Sequence, residues 1–124
     1  MIFRSFSRGE IIVKEGDVDR NLFFLTRGSV SVRIHLPESN RHKRLISYSA
    51  GVTFGEMAFL DGRPRSADVC ADQDSETYLL SPETYTVLQQ EQPEIAVKLV
   101  RNIALEMSER LRIRTSEIRV LEEG

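Results

Sequence analysis

The first two thirds of the chain consist of short apolar runs separated by turn residues. Residues 29–34 alternate polar and apolar side chains, which is typical of a strand with one wet face. Residues 22–25 are continuously apolar and precede Gly28, as expected for a more deeply buried strand. Further strands are predicted at residues 10–14, 43–48, 66–71 and 76–80. This spacing predicts a β-sandwich or β-roll from about residue 9 to residue 80.

Helical signals replace the strand pattern after Ser81. Ser81 is a suitable N-cap and Pro82 suits the first helical position, so a short helix is expected to about Gln90. Pro93 opens a longer helix, because residues 94–121 contain no glycine or proline. The predicted fold is therefore mainly β: a jelly-roll-like double-stranded β-roll, then a short and a long helix at about residues 82–122, in one domain spanning residues 1–124.

One stripe of the long helix is apolar. Its positions follow steps of three and four and are Val97, Val100, Ala104, Met107, Leu111, Ile118 and Leu121, interrupted by Arg114. Ile95, Leu99 and Ile103 widen the apolar face in the first half. We expect the first half to pack on the β domain and the second half, from about Met107, to meet a partner helix. Two interpretations stay open: an amphipathic helix folded back on its own domain, or a homodimer contact.

Size and charge narrow the class of protein. The chain has 124 residues and a mass of 14.2 kDa, so one soluble domain is expected. Its net charge of -2 does not provide the cationic field that direct binding of nucleic acid needs. No apolar run is long enough to span a membrane, and the first residues do not resemble a secretory signal. A single cysteine excludes an internal disulfide, and a cytoplasmic location is expected.

The chain is poorly supplied for catalysis. It contains only two histidines, His35 and His42, which flank a polar loop predicted at residues 37–42. No spacing of histidine, cysteine and carboxylate residues suggests a metal site, and no serine or cysteine is placed with a histidine as a nucleophile pair. Cys70 lies in an apolar strand and is expected to be a buried small side chain. We therefore predict neither catalytic residues nor metal ligands, and a phosphoester hydrolase is disfavoured.

Residues 54–69 are the segment that carries binding chemistry. Gly55 and Glu56 begin one predicted helical turn (residues 56–60), a turn at residues 61–62 follows, and Arg65 leads into a strand. Glycine allows close approach to the main chain, and backbone N–H groups at a helix start attract anions. A guanidinium such as that of Arg65 matches two phosphate oxygens, whereas Glu56 would accept from a sugar hydroxyl. The implied ligand has a phosphate beside a hydroxyl group.

This segment resembles the phosphate-binding cassette of the cyclic nucleotide-binding domain family. The family pattern F-G-E-x-A, followed by P-R-x-A, stands here as Phe54-Gly55-Glu56-Met57-Ala58 and Pro64-Arg65-Ser66-Ala67. Residues 15–17, 22–25 and 28–32 are similar to the family's early strands, so the resemblance covers nearly the whole chain. The family fold, a β-roll followed by helices, agrees with the pattern described above.

The resemblance also implies a role for each cassette residue. Arg65 would pair with the cyclic phosphate, Ser66 and Ala67 would add hydroxyl and backbone donors, and Glu56 would bind the ribose 2′-hydroxyl. The remaining implied ligand-binding residues, which supply backbone contacts, are Gly55, Met57 and Ala58. Leu45 and Ile46 are expected to flank the base.

Simpler roles compete with these assignments. Arg65 would otherwise be a surface arginine paired with Asp61 or Asp68. Glu56 would otherwise satisfy the free N–H groups at the helix start. The side chains expected to face the core are those of Met57, Phe59 and Leu60.

The function implied by the resemblance is a regulatory module that binds cAMP or cGMP and converts binding into rearrangement of its C-terminal helices. No cofactor beyond this regulatory ligand is implied, and the choice of base stays open. Because little precedes the first predicted strand, a fragment of a longer protein with a fused effector is expected, as in glutaminases and sulfate-transporter-like proteins, whose C-terminal modules are similar. The alternative is a nucleotide-independent roll that acts as a dimerisation module.

Overall fold

The computed structural model describes residues 1–123 and contains a β-rich part followed by helices. The elements in chain order are β1 (Ile2–Phe6), β2 (Ile11–Val13), β3 (Leu22–Arg27), β4 (Ser29–Leu36), β5 (Arg41–Ser49), β6 (Thr53–Phe54), α1 (Glu56–Asp61), β7 (Asp68–Ala71), β8 (Ser75–Leu80), α2 (Pro82–Glu91) and α3 (Pro93–Glu123). The predicted fold class, a β-roll followed by a short and a long helix, is confirmed.

The strands form two antiparallel four-stranded sheets. Their orders are β1-β8-β3-β6 and β2-β7-β4-β5. Both sheets contribute side chains to one core, whose buried members are Val13, Phe23, Leu25, Val30, Phe54 and Val69. The rings of Phe23 and Phe54 stack with centroids 4.9 Å apart, which fixes β6 on β3 immediately before the cassette.

Two regions differ from the sequence-based expectation. Residues 2–6 form β1, which pairs with β8, although the roll was expected to begin near residue 9. Pairing with β8, rather than a local sequence pattern, makes these residues a strand, because most of β1 is exposed and its apolar positions do not alternate. The polar loop predicted at residues 37–42 is shorter: β4 continues to Leu36 and β5 starts at Arg41. Asn40 takes the left-handed conformation that closes this turn, with φ of 54°.

The start of α2 follows its sequence signal. The Ser81 hydroxyl oxygen accepts a hydrogen bond from the Thr84 backbone N–H at 3.1 Å, which confirms the predicted N-cap.

The described chain divides into two compact units, with the division between Thr84 and Tyr85. In the second unit, the Tyr85 hydroxyl donates to the carbonyl of Ala96 at 3.2 Å. Ala96 and Ile103 are buried in α3, and the apolar side chains beyond residue 110 are exposed, namely Leu111, Ile113, Ile118, Val120 and Leu121. Within residues 1–123, no helix combines the length and the apolar character that crossing a bilayer demands.

Candidate functional site

Two glycines shape the cassette backbone. Gly55 precedes α1 with φ of 78°, and Gly62 follows it with φ of 72°, so both ends of this six-residue helix use the left-handed conformation that favours glycine. The Gly62 N–H donates to the carbonyl of Ala58 at 2.9 Å and closes the helix. The sequence-predicted helical turn with a glycine before it is therefore confirmed.

The loop before β3 is tied to the segment that follows α1. Gly16 N–H donates to the carbonyl of Arg65, and Arg65 N–H donates to the carbonyl of Asp17, each at 2.8 Å. The Glu15 N–H also donates to Oδ1 of Asp68 at 2.7 Å. These bonds fix the backbone of Arg65 on both sides, so the direction of its side chain is set by the loop at residues 15–21.

The Arg65 guanidinium is buried, with its side chain 3% exposed. Its Nη2 lies 2.6 Å from Oδ1 of Asp19, and its Nε lies 3.2 Å from Oδ2 of the same carboxylate. Nη2 also donates to the carbonyl of Asn21 at 2.7 Å, and Nη1 donates to the carbonyl of Gly55 at 2.9 Å. The guanidinium carbon lies 6.0 Å from the centroid of the Phe23 ring. Four of the five N–H groups are thus bonded within the described chain.

The simpler role considered for Arg65, a surface arginine paired with Asp61 or Asp68, is wrong. The carboxylate that pairs with Arg65 is Asp19, and the arginine is buried. The side chains of Asp61 and Asp68 accept hydrogen bonds from the backbone N–H groups of Arg63 and Glu15 instead. Sequence reasoning missed Asp19, because a carboxylate 46 positions away carries no local signal of this contact.

The Asp19 carboxyl group stays ionised to a lower pH than an ordinary carboxyl group. Burial raises the pKa of Asp19, but the hydrogen bond and the charge of Arg65, together with the Asn21 N–H, outweigh it and leave the pKa below its ordinary value of 3.8. The carboxylate is still 41% exposed. The pair is therefore ionised at neutral pH and holds the guanidinium in one orientation.

Arg20 is a second residue that the sequence did not single out. Its Nε and Nη2 lie 3.3 Å from the carbonyl oxygens of Ala58 and Phe59, respectively. A guanidinium here satisfies carbonyls at the C-terminal end of α1, where a positive charge is favoured. The same short loop therefore holds both the arginine and the helix of the cassette.

The remaining cassette side chains divide into buried and exposed sets. Ala58 and Phe59 are buried, as expected for Phe59, whereas Met57 and Leu60 are exposed. The expectation that Met57 and Leu60 face the core is wrong, because these residues are three positions apart on the helix face opposite Phe59. Glu56 is half-buried at the start of α1.

The other predicted contacts lie on either side of α1. Ser66 is exposed and Ala67 is half-buried, and both directly follow Arg65. Leu45 and Ile46 lie on β5, in the sheet that does not contain β6. The nucleotide contacts of all these residues, like those of Gly55, Glu56, Met57 and Ala58, stay predictions.

Cys70 is buried, as expected, and burial raises the pKa of its thiol. A buried thiol with a raised pKa is a poor nucleophile. The part of the chain that the structure describes contains no group of three or more histidine, cysteine or carboxylate side chains arranged to bind a metal ion.

Comparison with known proteins agrees with the fold. The family model described as "Cyclic nucleotide-binding domain" matches residues 3–92. This chain therefore belongs to the cyclic nucleotide-binding domain family, a family of regulatory binding domains.

Individual relatives match most of this chain, but the match covers only part of each relative's own length. Glutaminase 2 of Bradyrhizobium diazoefficiens is 36% identical over 108 residues, which are 87% of this chain and 16% of that protein. The cyclic AMP receptor protein of Thermus thermophilus is 33% identical over 119 residues, which are 95% of this chain and 52% of that protein. The crystal structure of a cyclic nucleotide-binding domain from Methylobacillus flagellatus matches with a TM-score of 0.85 and 25% identity, covering 98% of this chain and 67% of that one.

Proposed function

We propose that this chain binds a cyclic nucleotide, cAMP or cGMP, as a regulatory ligand. The observation that supports this most strongly is the Arg65 guanidinium, buried against the carbonyl of Gly55 and oriented by Asp19. An arginine so restrained loses little side-chain freedom when an anion arrives, which favours binding. One N–H of its Nη1 has no partner within the described residues, and in this proposal it donates to a phosphate oxygen.

The remaining contacts follow the family pattern. The Ser66 hydroxyl and the Ala67 N–H would add donors to the cyclic phosphate, and Glu56 would accept from the ribose 2′-hydroxyl. Gly55, Met57 and Ala58 would contribute backbone contacts. The two carboxylates of Asp19 and Glu56 oppose an anion, so the arginine and the backbone donors must outweigh them.

The bound nucleotide would act on an attached effector. This chain spans about a sixth of Glutaminase 2 and about half of the cyclic AMP receptor protein, so its relatives carry it beside other parts. We propose that nucleotide binding favours one arrangement of α2 and α3 over another and thereby controls such a part, with no catalysis by this domain itself. The coupling free energy would equal the difference in ligand affinity between the two arrangements.

Thermal unfolding with added nucleotide tests the binding proposal. A ligand at about 100 times its Kd stabilises the folded state by about 2.7 kcal/mol, which raises the Tm by several degrees for a domain of this size. Arg65→Lys keeps the charge beside Asp19 but removes the planar fork, so its affinity should fall at least tenfold. Arg63→Lys, two residues earlier and exposed, is the matched control and should behave as wild type. Absence of a shift with either nucleotide, or equal shifts for both variants, would contradict the proposal.

A nucleotide-independent dimerisation module is the second candidate. It is favoured by the exposed apolar side chains of Leu111, Ile118 and Leu121 in the second half of α3. Sedimentation velocity with and without cAMP distinguishes the two functions. Dimers that ignore nucleotide and dissociate in Leu111→Glu support this candidate, whereas a monomer at all concentrations excludes it.

A further inference from the structure

The β4–β5 hairpin carries a second arginine cluster, which precedes the cassette in the chain. The pairing of β4 with β7 ends at Arg33 opposite Asp68, whereas its pairing with β5 continues to Leu36 opposite Arg41. The last part of the hairpin is therefore a two-stranded ribbon that extends beyond β7.

One face of this ribbon is lined with basic side chains. Val30 and Val32 contribute to the core, so Arg33 and His35 point to the opposite face of β4. In the register of the hairpin, Arg44 lies opposite Arg33 and His42 lies opposite His35. The two imidazole rings have centroids 5.2 Å apart. We define Arg33, His35, His42 and Arg44 as the ribbon face.

Two guanidinium groups on this face share one carboxylate oxygen. Nη2 of Arg33 lies 3.1 Å and Nη2 of Arg44 lies 3.3 Å from Oδ1 of Asp72. The Ser31 hydroxyl donates to the same oxygen at 2.9 Å and accepts from Nε of Arg33 at 3.0 Å. The other N–H groups of both arginines have no hydrogen-bond partner within residues 1–123, and their side chains are 34% and 54% exposed. Both arginines therefore have donors facing solvent.

The surrounding hairpin is basic as well. Residues 33–44 contain four lysine or arginine side chains and one carboxylate, Glu38, in a chain whose net charge is -2. His42 Nδ1 lies 3.9 Å from Oδ2 of Asp68, a residue that also pairs with Arg33 across β4 and β7. Two cations directly opposite each other on neighbouring strands repel. Such a placement is stabilised by an added anion.

We propose that the ribbon face docks an extended acidic segment of a partner protein. Both arginines already bind a carboxylate, that of Asp72. The two levels of the face, Arg33 with Arg44 and His35 with His42, are two residues apart along each strand, or about 7 Å. Carboxylates on alternate residues of an extended chain project from one side at the same spacing. A nucleic acid fits less well, because a long polyanion would meet the negative charge of the rest of the chain.

Protection of the sheet edge is the simpler role for these charges. β5 is an edge strand, and basic side chains on edge strands prevent pairing with other molecules. Edge protection requires charge but no specific binding. The two roles therefore predict different results in a binding assay.

The proposal is tested by fluorescence anisotropy at about 50 mM salt. The probe is a labelled peptide of eight residues in which glutamate and threonine alternate. The wild-type chain should bind this peptide and not the matched peptide with glutamine in place of glutamate. Arg33→Gln with Arg44→Gln should weaken binding at least tenfold, and Arg44→Gln alone should weaken it severalfold, which keeps the test valid if the double variant unfolds. Arg112→Gln with Arg119→Gln, at exposed positions on α3, is the charge-matched control and should bind within twofold of wild type.

Three results would overturn the proposal. The first is absence of peptide binding by the wild type, which would leave edge protection as the only role. The second is an equal loss of peptide affinity in the ribbon-face and α3 variants, and the third is tighter binding of a single-stranded oligonucleotide than of the acidic peptide at the same salt.

Discussion

The chain contains two clusters of arginine and aspartate that differ in how well the cation is satisfied. In the cassette, one buried guanidinium meets one carboxylate and two carbonyl oxygens, so nearly all its donors are bonded. On the ribbon face, two exposed guanidinium groups meet a single carboxylate oxygen, and most of their donors face solvent. The first arrangement holds one arginine in a fixed orientation, whereas the second leaves guanidinium donors open to solvent. Burial and the number of partners, rather than residue type, separate the two roles.

The largest expected difference between the clusters is in stability. Arg65→Gln should lower the free energy of unfolding by about 2–3 kcal/mol, because it leaves the Gly55 and Asn21 carbonyls without a charged donor and Asp19 without its cation. Arg44→Gln should change it by less than about 0.5 kcal/mol, since that side chain is half exposed. Urea denaturation at pH 7 measures both. Similar losses in the two variants would remove the distinction.

The next effect concerns the glycine against which Arg65 lies. A Cβ at Gly55 would come within 2.8 Å of Nη1 of Arg65, and the guanidinium is held in place by Asp19 and Asn21. Gly55→Ala should therefore cost about 1–2 kcal/mol beyond the backbone strain of a positive φ. Gly51→Ala is the matched control, because Gly51 also has a positive φ, 101°, but no atom within 4 Å of its Cβ position. Equal losses of stability in both variants would show that the Arg65 side chain moves aside at little energetic cost.

The acid dependence of stability tests the cassette pair. The folded-state pKa of Asp19 is lowered, so its contribution is fully present above the unfolded-state value of about 3.9 and is lost as the pH falls through the lower folded-state value. Asp19→Asn should therefore be less stable than wild type at pH 5–7, and the gap should shrink below about pH 4. Denaturation series at pH 7, 5, 4 and 3 measure it, with Asp17→Asn as the control in the same loop. A gap that persists unchanged at pH 3 would contradict the assignment.

A smaller effect than those in the cassette is expected for Asp72 on the ribbon face. Asp72→Asn removes the charge between Arg33 and Arg44 and should cost about 0.5–1 kcal/mol at low salt, less at high salt because repulsion is screened. In the Arg44→Gln background the same substitution should cost less, since one of the repelling cations is gone. A loss independent of both salt and background would contradict this electrostatic role of Asp72.

Local signals predicted much of the fold and little of the site's electrostatics. The cap at Ser81, the glycine before α1 and the strand at residues 29–34 each depend on neighbours within a few residues, and the structure confirms them. The wet face expected for that strand is wrong at Ser31, which is fully buried because it pairs with Cys70 of β7 and its hydroxyl donates to Asp72. The partner of Arg65 depends on how a distant loop folds over the cassette, so Asp19 was not predicted. Strand β1 was missed because its order comes from β8.

The ribbon face was hidden for a related reason. The facing of Arg33 and Arg44 depends on the hairpin register, which shifts by one residue between Val32 and Arg33. Such a shift changes which side chains share a face and leaves no pattern in the sequence.

Calorimetric titration of cAMP and cGMP into the chain tests the central claim most directly, namely that the oriented guanidinium of Arg65 binds a cyclic phosphate. We predict saturable heat with one site per chain for at least one of the two nucleotides, and at least tenfold weaker binding in Arg65→Lys while its thermal unfolding remains cooperative. Binding of equal strength in wild type and Arg65→Lys, or no heat from either nucleotide in the wild type, would contradict it.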